Sequence, residues 1–161
     1  MIDEKQIEFF SKNGAIFLKG YFTDWIEVLK SGIEKLIDNP SPRERSYKPK
    51  DGTAPFFQDL CNWQRISEFE KFIFNSDIGE VASKLMQSNV SRFFHDHVLV
   101  KEPGSSIVTP WHQDQSYYCT SGNQTISFWI PLDNISLNNT LSCISGSHKW
   151  GKLHKPKRFD G

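Results

Sequence analysis

A chain of 161 residues can bury a substantial core as one domain. Its 19 Lys and Arg balance 19 Asp and Glu, so no global field draws it to nucleic acid or to an anionic membrane surface. Three cysteines (Cys61, Cys119, Cys143) with no CxxC spacing argue against both a disulfide scaffold and a zinc ribbon.

The charged opening MIDEKQIEFF lacks the apolar centre of a signal peptide, and no run approaches the roughly 20 apolar residues of a membrane helix. The expectation is a cytoplasmic protein with neither a nucleic-acid nor a membrane partner, acting on a small molecule. Aromatic residues make up 14 %, with 13 Phe, which suits a β-rich core or an aromatic-lined pocket.

In chain order, EKQIEFFSKNG places Ile7 and Phe10 on one face and ends at Gly14, predicting a helix with a glycine cap. AIFLKGYF predicts a short apolar strand. DWIEVLKSGIEKLID predicts a helix, with Asp24 and Glu27 at capping-box spacing and apolar residues at Ile26, Leu29, Ile33 and Leu36. The Pro-rich, charged NPSPRERSYKPKDGTAP reads as a loop. SEFEKFIFN, with Ser67 and Glu70 as capping box, and DIGEVASKLMQ read as two more helices.

The pattern then changes. Alternation and β-branched residues predict a strand over Arg92–Lys101, closed by a Pro-Gly turn, and further strands in SIVTPWHQDQSYY, NQTISFWIPLD and TLSCISGSH. Helices first and strands afterwards give α+β, with a jelly-roll type of β-structure whose second half is missing. Residues 1–90 form a mainly helical support and 91–161 the first part of the β-core, within a single domain.

TPWHQDQSYY carries the candidate chemistry. In an extended segment residues i and i+2 face the same way, so His112 and Asp114 project together while Gln113 faces the other side. An imidazole and a carboxylate so placed form two adjacent vertices of a metal site; a second histidine from a neighbouring strand completes the facial triad used with Fe(II). On spacing alone the pair can equally be two hydrogen-bonding surface residues.

The ordered blocks HDHVLVKEPG, TPWHQDQSYY, SFWIPLD and SGSHKWG, with FFSKNGAIFLKGYF near the start, resemble the phytanoyl-CoA dioxygenase family. The resemblance implies a double-stranded β-helix, cupin-like, and an oxygenase that uses Fe(II), 2-oxoglutarate and O2 to hydroxylate a small organic substrate. It implies His112 and Asp114 as iron ligands, and His97, Gln113 and Trp129 at cosubstrate-contacting positions.

It also implies Lys101 at a strand end beside the pocket and Tyr117 and Tyr118 at the substrate mouth. His148 of SGSHKWG falls in a separate structural block and is not an iron ligand. The third ligand histidine, and a basic residue for the far carboxylate, are expected beyond Gly161, so this chain reads as a fragment with weak or no turnover. Asp114, in place of the small residue of halogenating relatives, favours hydroxylation. Thr140 and Ser145 depart from the residues common in the family.

The alternatives are a non-catalytic cupin-like binding domain and a zinc hydrolase, the latter without an HExxH motif. The basic run HKWGKLHKPKR reads as a solvated tail or as a groove for an anionic substrate.

Overall fold

The computed structural model describes residues 2–156. Helix α1 (Glu4–Asn13) begins at a reciprocal cap: Asp3 accepts from the Gln6 amide at 2.8 Å, and the Gln6 side chain accepts from the Asp3 amide at 3.0 Å. It ends as the sequence predicts, at Gly14 in the left-handed conformation (φ 79°), whose amide returns to the Phe10 carbonyl. Next come α2 (Ile26–Asp38), strand β1 (Phe56–Leu60), α3 (Ser67–Asn75), α4 (Ile78–Leu85) and strand β2 (His97–Lys101). Short 3-10 turns occupy Thr23–Trp25, Asp114–Tyr117, Leu137–Asn139 and Ser147–Lys149. The class is α+β, and among the described residues no helix is long and apolar enough to cross a membrane.

The chain divides into two compact units. One comprises the described residues up to Asp24 with Ser76–Arg92 and His112–Pro156. Its core is Ile2, Val81 and Leu85, with Ile7 and Phe10 of α1 packed against α4. Ile16 and Leu18 add to this core while Phe17 between them is 83 % exposed. Ile126 and Phe128 do the same from further along the chain, Phe128 meeting Phe22 edge-on at 6.2 Å.

The second unit comprises Trp25–Asn75 and Phe93–Trp111. Here α2 packs on α3, burying Leu29, Gly32 and Leu36 against Phe69 and Phe72. Burial of each such apolar side chain contributes on the order of 1.5–3 kcal/mol. A side chain at residue 32 would stand 2.6 Å from the Phe69 ring, so only glycine permits the helices to approach this closely. Lys35 and Glu68 form an ion pair across the same seam, and that contact draws the Glu68 carboxyl below its ordinary value.

Strands β1 and β2 pair antiparallel, from Phe56 opposite Lys101 to Leu60 opposite His97. The Asp96 carboxylate receives the amides of Asn62 and Trp63, fixing the turn after β1 in which Cys61 takes φ 56°.

Several expectations are corrected. The strand expected over Arg92–Lys101 forms only at His97–Lys101, and strand β1 was not expected at all. Residues 15–22, 106–118, 123–133 and 140–148 are not strands: their alternation is real, as Ile16/Leu18 and Ile126/Phe128 show, but no neighbouring backbone among the described residues supplies a ladder. Asp24 does not cap α2; it lies in a 3-10 turn and Trp25 precedes the helix without a side-chain bond. Ser67 is the first residue of α3, and its hydroxyl turns to the Glu68 carboxylate.

Candidate metal-binding site

Gln113 has extended dihedrals (φ −118°, ψ 121°), and the chain then turns into the 3-10 segment Asp114–Tyr117. One extended residue suffices to bring its two neighbours to the same side. His112 Nε2 lies 3.2 Å from Asp114 Oδ1. The pair therefore converges although no strand carries it.

Both side chains are partly exposed, at 31 % for His112 and 48 % for Asp114. A polar contact so exposed contributes only ~0–1 kcal/mol, so stability gives little reason for it.

Side chains around the pair hold the segment in place. On the opposite side, the Gln113 amide donates to the Lys152 carbonyl at 3.1 Å and accepts from the His154 amide at 2.8 Å. Tyr117 stands edge-on to His112, with ring centroids 5.9 Å apart. Gln115 donates to the Thr120 carbonyl at 2.7 Å and accepts from Thr125 Oγ1 at 2.6 Å.

Asp114 Oδ2 accepts from Ser127 Oγ at 2.9 Å, and Ser127 in turn lies 3.2 Å from the Tyr118 hydroxyl. Burial pushes the Tyr118 phenol above its ordinary value; the bond to Ser127 opposes this, and the Asp114 charge and its hydrogen bond to the phenol add to the rise. The phenol accordingly keeps its proton at neutral pH.

His97 opens β2 in the second unit, exposed, with Nε2 3.2 Å from Gln58 Oε1; Gln58 Nε2 is buried and has no hydrogen-bond partner among the described residues. Lys101 donates to the Ile107 carbonyl, its ammonium 5.2 Å from the centre of the Phe56 ring. Trp129 belongs to the unit that holds His112 and is 42 % exposed.

His148 lies 3.0 Å from the Ser11 carbonyl, at the end of α1. Lys157 and Arg158 of the basic run, and the third ligand expected past Gly161, lie outside the described residues.

Sequence reasoning missed Ser127. A signal was available: with Ile126 and Phe128 facing the core, the polar Ser127 between them is free to face away from it.

The donor set can be tested against a metal ion. Bonds of about 2.1 Å to an octahedral ion place two adjacent donors about 3.0 Å apart, close to the observed 3.2 Å. Imidazole nitrogen with carboxylate oxygen is also the donor chemistry of non-haem iron sites. The pair fits two adjacent positions of such an ion. Among the described residues no group of three His, Cys, Asp or Glu is placed to hold one.

The model of one protein family, phytanoyl-CoA dioxygenase (PhyH), matches residues 10–160. Neither a curated protein nor a solved structure matches the chain. The match runs through both units and through the His112–Asp114 segment, and the chain belongs to the phytanoyl-CoA dioxygenase family, whose members are in general dioxygenases.

Proposed function

We propose that the chain supplies two metal donors, His112 Nε2 and Asp114 Oδ1, to an Fe(II)- and 2-oxoglutarate-dependent oxygenase that hydroxylates a small organic substrate on a double-stranded β-helix. The observation that carries this reading is the 3.2 Å approach of an imidazole nitrogen and a carboxylate oxygen within a family of dioxygenases. When bound, iron with 2-oxoglutarate supplies the oxidising power to place one atom of O2 on a substrate carbon, while 2-oxoglutarate is converted to succinate and CO2.

The protein's part is orientation. His112 must present Nε2 as a lone pair, so its ring proton belongs on Nδ1 when the site is loaded. Asp114, rather than a small residue, fills a coordination position that halide would otherwise take, which favours hydroxylation. Tyr117 walls the histidine on one side. His97 and Trp129 are the proposed contacts to 2-oxoglutarate. A third histidine is required to complete the triad.

Anaerobic addition of Fe(II) and 2-oxoglutarate tests this. A visible charge-transfer band is expected from the protein carrying all three ligands and not from its Asp114→Ala variant, with far-UV circular dichroism equal in both. An Asp114→Ala variant that develops the band as strongly as the parent would falsify the ligand assignment. A second reading, a non-catalytic binding domain of the same family, draws on the lack of a three-donor group among the described residues. A protein that carries a third histidine and still develops no band favours it.

A further inference from the structure

Asp114 is half-exposed, so packing alone does not fix its carboxylate. Three contacts do: Oδ1 meets His112, Oδ2 meets Ser127, and the Tyr118 phenol hydrogen-bonds the same carboxylate. A serine hydroxyl has one proton and a carboxylate only accepts, so the Ser127 proton points at Asp114. The Tyr118 hydroxyl, 3.2 Å from Ser127 Oγ, is a second donor to the same carboxylate. The two hydroxyls therefore hold one rotamer of one carboxylate.

We propose that Ser127 is a positioning residue for the metal-binding carboxylate, holding Asp114 Oδ2 so that Oδ1 stays turned toward His112, with the Tyr118 hydroxyl as a second donor to the same carboxylate. This rests on the reading of His112 and Asp114 as metal donors. Partners that orient a ligand in this way change metal affinity by roughly 10–100-fold when removed. Asp114 keeps access to water, so the lower end of that range applies here.

The test is titration of the purified chain with Mn(II), free ion being followed by electron paramagnetic resonance, alongside far-UV circular dichroism and urea midpoints. Ser127→Ala is expected to bind Mn(II) about tenfold more weakly than the parent at an unchanged urea midpoint. Ser127→Thr, which keeps the hydroxyl, is expected to stay within about twofold of the parent.

Affinity in Ser127→Ala equal to the parent, while Asp114→Ala loses binding, overturns the positioning role and leaves the metal reading standing. A threonine variant as weak as the alanine also overturns it, because the hydroxyl is then not the cause. A parent chain that takes up no Mn(II), or an Asp114→Ala variant that binds as the parent does, overturns both. Should Ser127→Ala lose its circular dichroism, Tyr118→Phe is read in its place: about threefold weaker binding supports the proposal, and unchanged binding overturns it.

Discussion

His148 caps the C-terminal end of α1. Its Nε2 lies 3.0 Å from the Ser11 carbonyl, and its ring occupies the space a side chain at residue 14 would need. A carbonyl only accepts, so Nε2 carries the proton and satisfies a group that the helix leaves without a partner. The neighbouring contacts agree: the Gly146 amide donates to the Asn13 carbonyl at 2.8 Å, and Ser145 Oγ donates to Asn13 Oδ1 at 2.7 Å.

His148→Ala should therefore lower stability by about 1 kcal/mol while leaving Mn(II) affinity unchanged. Gly14→Ala should cost more, about 2 kcal/mol, because it adds left-handed strain to a collision with the imidazole. Urea midpoints rank the two; a smaller loss in Gly14→Ala than in His148→Ala contradicts the packing described here.

Asp59 carries a pH dependence. It is fully buried, receives the Ser41 amide at 2.7 Å, the Ser41 hydroxyl at 2.6 Å and the Leu60 amide at 2.7 Å. Burial pushes its carboxyl up, but the Ser41, Asn62 and Leu60 bonds together outweigh burial and leave it below its ordinary value of 3.8.

A carboxyl depressed in the folded state stabilises above its unfolded pKa, about 3.9, and loses that contribution as pH falls through the folded value. Asp59→Asn places an amide nitrogen against a backbone donor, and should cost about 2 kcal/mol at pH 7. The gap between parent and variant urea midpoints should narrow as pH drops from about 5 to 3. A gap constant across that range would mean the ionised form has no preference for the fold.

The seam between α2 and α3 gives a third prediction. Gly32→Ala drives a methyl into the Phe69 ring, and should lower the urea midpoint by an amount equivalent to about 2 kcal/mol. Gly32→Ala combined with Phe69→Leu should recover part of this loss, since the ring edge it meets is removed. No recovery would place the strain elsewhere in the helix.

What the sequence made legible follows physical locality. Helix α1 could be read with its glycine end because Ile7, Phe10 and Gly14 act within a few residues of one another. The approach of His112 and Asp114 was likewise legible, since a single extended residue between them sets it. Strand β1 was not, because Gln58 and Asp59 are both buried and break the alternation that marks a strand.

The three later strands failed for the converse reason. Alternation at Ile126 and Phe128 reports which side faces a core, whereas a ladder requires another backbone that alternation does not reveal. Ser127 was missed because its contact lies 13 residues back in the chain: the local alternation sets the side it faces but not the partner it meets there.

The Gln113 clamp has one more consequence. Both polar ends of its amide are bound to the backbone at Lys152 and His154, so the His154 N–H is shielded only while Gln113 keeps its rotamer. That N–H is thus a built-in reporter for the segment between His112 and Asp114: its deuterium uptake should accelerate at least about tenfold in Gln113→Ala. Any small molecule that pulls the glutamine inward should unmask the same proton, making one exchange peak a readout of occupancy some 40 residues upstream.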